Sequence, residues 1–521
     1  MSSPAEATRR DAGYLLLALA LATLSLGVHL NLPLLSGIHE ARVLETGREM
    51  LELGNWVVPH FTGEVRLEKP PLPYWTSALA YLLAGEPSVA AARLVVTALG
   101  MLMLLAAWSI ARAVGDRRTA LLVLPVMASF LLFNTEFRKV TTDPFLAALT
   151  TAAVAGFAWA FRRSGFIGKA CLAIAYLFTA LALLAKGPIA LVFVGIGAFF
   201  VRPRNGRTEG HGWHWHALGM ALACAPLAAW ALLVMQHLPD AFALWRHEVM
   251  GRVTGEVEEL RGRWFYLPVL LSAASPLLLP FLAGGVRGLR QRDPIALWFA
   301  TGLVFLMLLS SRKAAYLLPL MTPAALFTAR YLSRLQDFGE DRRLGWAQLL
   351  INLLLIAALF GMALAWRDHL FWGAAGVGLL LLAAMLSLLR SAWTARLSAA
   401  GLVASAVLIT TFYNGVLLTH LPEDRTLYNL SQYLNEHVPA EAALYQQGGI
   451  DPRLAFYINR LPAPIGEGEL ATAASSAWLL CHTLLSPTAY PGWVQVLQTQ
   501  SRNGRRLYLY RRQPGLEGRA P

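Results

Sequence analysis

Four short motifs carry cations where positive charge is otherwise scarce: Glu68-Lys69-Pro70-Pro71, Lys186-Gly187-Pro188, Arg252 and Ser311-Arg312-Lys313. Fixed ammonium and guanidinium groups suit one task above others. They stabilise an anion, most of all one on which negative charge grows as a bond breaks. A lysine next to Gly-Pro, or two residues from a serine in a turn, also sits where a helix must stop. Each motif therefore offers a cation at a helix end. The ordinary alternative is a lysine that snorkels from a helix end to the membrane surface, which would explain any one of them alone.

The elements that must position these cations are membrane helices. Of the 521 residues, 56% are hydrophobic and 14% charged, too apolar for an ordinary soluble protein. The apolar runs are continuous rather than alternating, so they predict helices and not a barrel. About thirteen spans follow, near 13–33, 88–112, 119–134, 144–161, 168–185, 188–201, 216–236, 266–286, 294–310, 314–331, 346–366, 370–389 and 398–419. Arginine fills every second loop: Arg117-Arg118, Arg162-Arg163, Arg202 with Arg204, Arg287 to Arg292, Arg342-Arg343, and Arg390 with Arg396. That alternation predicts a cytoplasmic N-terminus and a C-terminus outside. The net charge of +13 suits an anionic inner leaflet. No basic face interleaved with aromatics marks a nucleic-acid partner. The four cationic motifs fall on the opposite, outer side, and predict a site there for an anionic, lipid-linked substrate.

Arg9-Arg10 ahead of an apolar run is similar to a secretory or twin-arginine signal, but an uncleaved first span is expected. The three cysteines, Cys171, Cys224 and Cys481, have no metal spacing and imply no disulfide framework. His211, His214 and His216, beside Trp213 and Trp215, read as interfacial decoration in a cytoplasmic loop.

Two domains are expected. Residues 1–420 form the membrane domain, with a long first outer loop at 34–87. Within that loop, apolar residues from Glu40 to Leu51 fall at helical spacing opposite Arg42, Glu45, Arg48 and Glu49, which predicts an interfacial helix. A second is expected from Tyr74 to Leu83. Residues 421–521 turn soluble, with strands expected at Ala443 to Tyr445, Ala477 to Cys481 and Leu507 to Tyr510, giving a small α/β domain outside the membrane. Asp143-Pro144 opens a span on the outer side and reads as an N-cap followed by Pro at the first helical position.

The motifs, taken together and in order, resemble a known family. His39-Glu40-Ala41-Arg42, Gly54-Asn55-Trp56-Val57-Val58-Pro59, Glu68-Lys69-Pro70-Pro71-Leu72-Pro73-Tyr74-Trp75, Asp143-Pro144, Lys186-Gly187-Pro188, His247-Glu248 to Arg252, Trp264 to Pro268, and Ser311 to Pro319 resemble the GT-C membrane glycosyltransferases of the protein O-mannosyltransferase and lipid A aminoarabinose transferase superfamily. The likeness covers about residues 12 to 330. It implies a sugar donor on a polyprenyl (undecaprenyl) phosphate and an acceptor on the outer face: lipid A, another glycan or a protein. By resemblance, Lys69 and Arg252 hold the lipid phosphate, with Lys186, Lys313, Tyr316 and Arg42 as further donor-binding candidates. Asp143 is implied near the active site. Glu68 and His247 are implied as ligands of a zinc-like divalent cation, although two residues do not fill the usual four positions.

One position departs from the pattern. Where family members usually carry Asp, the proposed base, this chain has His39. Three readings stay open. His39 can take the proton near neutral pH. Glu40 can replace it, or an already ionised acceptor such as a phosphate needs no strong base. Loss of activity is the third. A transporter or flippase for a lipid-linked sugar is the alternative to an enzyme, but the ionisable groups gather at one face rather than at the midplane. A monomer in a bacterial inner membrane, with the C-terminal domain periplasmic, completes the expectation.

Overall fold

In a computed structural model, residues 4–31, 34–35, 37–203, 211–246, 262–335, 342–365, 395–417, 425–458, 460–500 and 506–513 are described. The chain opens with α1 (Pro4–Gly27), α2 (Ile38–Glu52), a hairpin of β1 (His60–Phe61) and β2 (Glu64–Val65), and α3 (Leu72–Ala84). The helices α4 (Val89–Val114), α5 (Arg117–Ser129), α6 (Leu131–Glu136), α7 (Thr142–Ala160), α8 (Gly165–Lys186), α9 (Ile189–Val201) and α10 (Trp213–His237) follow. After them come α11 (Tyr266–Ala273), α12 (Leu278–Arg290), α13 (Pro294–Leu308), a 3-10 turn at Ala314–Leu320, α14 (Met321–Ser333), α15 (Arg342–Ala365) and α16 (Ala395–Phe412). The chain closes on α17 (Thr426–His437), β3 (Leu444–Gln447), α18 (Pro452–Ile458), β4 (Ala463–Pro464), β5 (Trp478–Cys481), β6 (Trp493–Gln500) and β7 (Arg506–Arg512).

Contacts divide the chain into two compact units: Met1–Leu30, Leu67–Thr76 and Ala90–His420 in the first, and Asn31–Arg66, Ser77–Val89 and Leu421–Pro521 in the second. The first is helical. Among the described residues, four of its helices, α4, α7, α8 and α10, are long and apolar enough to cross a membrane, and shorter apolar helices accompany them. At the centre lies α7, buried along nearly its whole length. Its neighbour α8 approaches so closely that a Cβ on Gly156 would sit 2.8 Å from the Ala175 backbone nitrogen. Small residues permit that approach, and dispersion contacts between the helices reward it.

Several expected spans are not single helices. The run at 266–286 breaks between α11 and α12 around Pro276, which has no N–H to continue the ladder. Gln348 on α15 serves the freed backbone there. Its amide donates to the Pro276 carbonyl (2.6 Å) and its oxygen accepts from the Leu279 nitrogen (2.9 Å), while Asn352 and Ser405 extend the chain of bonds. Broken helices survive in a membrane only where such partners exist. The run at 119–134 divides into α5 and α6 at Phe130, and 314–331 begins as a 3-10 turn. The expected span at 370–389 lies outside the described residues.

The second unit is α/β. Among the described residues its main sheet runs in the order β4-β3-β5-β7-β6, with β4, β3 and β5 parallel and β7 antiparallel to both β5 and β6. Alternation puts Leu480, Leu507 and Leu509 on one face with Leu430, Leu434 and Leu454 from α17 and α18. Leu479, Cys481, Tyr508 and Tyr510 fill the other face with Leu470, Leu485 and Trp493. The long loop at 34–87 belongs largely to this unit. Helix α2 packs on α18, the Leu35 nitrogen donates to the Tyr457 hydroxyl (2.9 Å), and Tyr81 meets Phe456 at 6.2 Å between ring centroids. The amphipathic helix read at Glu40 to Leu51 is α2, and both its faces are buried from Glu40 to Met50.

Candidate functional site

The motifs of Lys69, Lys186 and Lys313 meet where α7 begins and α8 ends. Gly187 stops α8 in a positive-φ conformation (+78°), which L side chains rarely adopt, and leaves Lys186 in the last turn. The Lys186 ammonium forms an ion pair with the Asp143 carboxylate and lies 4.3 Å from the centre of the Tyr316 ring. Both charged side chains are nearly buried, 9% and 12% exposed. Asp143 lies in the first turn of α7, but Thr141 is the N-cap residue, so the capping role read from Asp143-Pro144 is corrected. The carboxylate reaches across to Lys186 instead, because a buried ammonium needs a counter-charge more than the helix needs a cap.

The Glu68-Lys69 and Ser311–Lys313 motifs converge on the same place. Pro70 approaches the Gly187 turn, 3.8 Å from where a Cβ would stand, which puts the loop carrying Glu68 and Lys69 beside Lys186. That loop is held by the Trp245 indole, which donates to the Leu67 carbonyl (3.1 Å). Lys313 precedes the 3-10 turn, and its carbonyl accepts from the Tyr316 nitrogen (3.1 Å). The Tyr316 hydroxyl is 3.4 Å from Ser311 Oγ.

Arg312, from the same motif, has a different task. It is buried, and its guanidinium donates to the Met307 carbonyl at the end of α13 (3.0 Å). A cation there offsets the unpaired carbonyls of a helix C-terminus. Arg138 does the same for α1, donating to the Leu26 (2.8 Å) and Val28 (2.6 Å) carbonyls, and Arg93 reaches the Leu30 carbonyl (2.8 Å). Scarce cations thus divide into helix-end partners and a cluster around Lys186.

A residue passed over in the sequence completes the cluster. Tyr266, at the start of α11, is fully buried, and its hydroxyl makes no hydrogen bond of good geometry among the described residues. It lies within electrostatic reach of Tyr316, Arg312 and Asp143, with the Lys313 backbone amide approaching it. A buried hydroxyl left unsatisfied costs about 1–3 kcal/mol, so its retention needs a reason. The only sequence signal was its place inside the Trp264 to Pro268 motif.

His39, Glu40 and Arg42 sit on α2, in the second unit. His39 is exposed and Glu40 is buried. The Arg42 guanidinium carbon lies 5.9 Å from the centre of the Phe61 ring. His247 and Arg252 lie outside the described residues. Among those described, no group of three or more His, Cys, Asp or Glu residues could hold a metal. Glu68 with His247 would supply only two of the four positions zinc usually takes.

Glu49 on α2 was read only as part of a polar face. Its carboxylate accepts from the Thr62 (2.5 Å) and Gly63 (3.1 Å) nitrogens and ties the hairpin to the helix. Burial pushes its carboxyl up to about 7, against the pull of those two hydrogen bonds.

Comparison with known proteins gives the arrangement a context. Residues 68–230 match the family described as dolichyl-phosphate-mannose-protein mannosyltransferase. The chain is similar to the undecaprenyl phosphate-alpha-4-amino-4-deoxy-L-arabinose arabinosyl transferase of Pseudomonas aeruginosa PAO1, at 30% identity over 81% of this chain and 79% of that one. The Edwardsiella ictaluri protein of the same description is 29% identical over 71% of each chain. Among solved structures, ArnT from Cupriavidus metallidurans bound to undecaprenyl phosphate has the same fold, with a TM-score of 0.74 at 18% identity over 99% of this chain and 100% of that one.

Proposed function

The chain belongs to the GT-C membrane glycosyltransferases of the lipid A aminoarabinose transferase and protein O-mannosyltransferase superfamily, and from that membership we propose that it moves a sugar from undecaprenyl phosphate to an acceptor at the periplasmic face of a bacterial inner membrane. The observation that carries the donor side is the Lys186 ammonium, held between Asp143 and the Tyr316 ring with the Lys69 loop against its turn. As the sugar leaves, charge grows on the lipid phosphate, and cations already fixed in place stabilise that charge more than the ground state. A phosphate beside Tyr316 would share the ammonium with Asp143, which orients it. Lys69, Lys313 and Arg252 are the further cations assigned to that phosphate. On the acceptor side, exposed His39 is better placed than buried Glu40 to take a proton from an incoming hydroxyl. An acceptor that is already a phosphate would need neither.

The test is binding of undecaprenyl phosphate to the purified protein in detergent, for the native chain and for Lys69→Ala, Lys186→Ala and Arg252→Ala. Each variant is expected to lose about 1.5–3 kcal/mol, roughly 10- to 150-fold in affinity, the usual worth of a hydrogen bond to a charged group. A native chain with no affinity, or variants that match it, would remove the donor assignment.

A further inference from the structure

The second unit holds a polar cavity that none of these assignments uses. It is about 860 Å³, within the range that small-molecule sites occupy. It lies by the parallel strands β3 and β4, where the chain leaves β3 through Gly448 and Gly449, both at φ +83°, before entering α18. Ligands of parallel α/β sheets lodge at such carboxyl ends, where backbone groups of the loops point outward. The opposite wall is the hairpin turn Thr62–Glu64, the turn that the Glu49 carboxylate ties to α2.

The lining chemistry is selective. Glu64 and Glu469 contribute carboxylates, and among the described residues no Lys or Arg lines the cavity. Gln446, also in the wall, has a buried side-chain oxygen that accepts no hydrogen bond among the described residues. Ionised carboxylates and amide oxygens only accept, so they call for a ligand rich in donors. Two carboxylates with no cation repel a phosphate. Burying them under a purely apolar group would strip their water without return. A neutral or amino sugar meets all three conditions: many hydroxyl donors, no anion, and a size the cavity admits.

We propose that this cavity of the second unit is a saccharide-binding subsite, taking a neutral or amino sugar and rejecting a phosphorylated one. The proposal rests on the glycosyltransferase reading only in supposing a carbohydrate-bearing acceptor; its chemistry is independent of the donor phosphate.

The full chain in lipid nanodiscs, free of sugar-based detergent, is titrated with glucosamine, N-acetylglucosamine and glucosamine 6-phosphate by saturation-transfer NMR. Glucosamine and N-acetylglucosamine are expected to bind, with the phosphate at least about tenfold weaker. Gln446→Leu is expected to weaken the neutral sugars about tenfold, and Glu64→Gln with Glu469→Gln to narrow the gap to the phosphate. Glu64 is exposed on the hairpin, so Glu64→Gln alone carries the test if Gln446→Leu does not fold. The proposal is overturned if the phosphate binds as well as glucosamine in the native chain, if all variants match it, or if a basic peptide binds where no sugar does. Undecaprenyl phosphate affinity is measured in parallel. If that fails while sugars bind, the donor reading falls and the subsite stands; if it holds while sugars do not bind, the reverse follows.

Discussion

A lone hydroxyl decides how the proposed donor site is to be understood at the scale of single residues. Tyr266 keeps a buried, unsatisfied oxygen beside Tyr316, Asp143 and Lys313, a poor arrangement for stability alone. If the hydroxyl serves only packing, Tyr266→Phe should be neutral or slightly stabilising and leave activity intact. If it donates to the lipid phosphate, the same variant should melt no lower than native yet bind undecaprenyl phosphate about 10- to 100-fold more weakly. Melting and binding measured on one preparation separate the two outcomes. Other residues show where sequence reading reached and where it stopped. Lys186 stood out by its own motif, a cation at a helix end marked by Gly187-Pro188, whereas Tyr316 entered only through the family resemblance. Asp143 was read as a cap because Asp before Pro carries that local signal. Its true partner lies 43 residues away, a distance no local pattern spans. Arg312 and Lys313 are adjacent and alike in charge, yet one holds a helix end and the other lies at the cluster.

Elements were legible as apolar runs, but their breaks were not. Hydrophobicity continues unchanged through Phe130 and through the break at Pro276, while the partner that makes the second break tolerable, Gln348, is about 70 residues further on. Strand β6 was missed because Gln495, Gln498 and Gln500 interrupt its apolar pattern, as befits an edge strand with much of one side in water. Helix pairing gives a direct test. Gly156→Val pushes its side chain into the Ala175 backbone, and the separation of α7 from α8 should cost about 1–3 kcal/mol. Gly195→Ala meets nothing within 4 Å and should melt like the native protein. Equal melting of both variants would show that the two helices do not rely on this contact. The link between α2 and the hairpin is testable by pH. Because burial raises the Glu49 carboxyl to about 7 from an ordinary 4.5, the folded chain holds that proton more tightly than the unfolded one. Its contribution to stability is full below about pH 4.5 and is lost as pH rises through 7. Glu49→Gln removes the charge but keeps an oxygen for only one of the Thr62 and Gly63 amides, which donate to different carboxylate oxygens. Its stability relative to the native should therefore start lower at pH 4.5 and rise toward pH 8, by a few kcal/mol at most across that range. A gap constant across that range would refute the shift.

The grouping of chain segments into units matters most at the scale of the whole molecule. Composition divides the sequence at about residue 421, and on that basis the C-terminal part reads as a self-contained domain. Contacts put Asn31–Arg66 and Ser77–Val89 with it, segments more than 330 residues earlier in the chain. No periodicity or charge pattern reports such a pairing, because it depends on which faces match and not on any local signal. It has a physical consequence. In 421–521 alone, α18 would lose the helix packed on it, Phe456 would lose Tyr81, and the Tyr457 hydroxyl would lose the Leu35 amide. A domain of that size has little surplus stability from which to absorb bare apolar surface. Residues 421–521 expressed alone should therefore aggregate or bind a hydrophobic dye, and should exchange their α18 amides much faster than the full chain does in detergent. A monomeric, cooperatively melting fragment with full-chain protection would show that the sheet and its two helices form the true folding unit, and that the first loop is only docked upon it.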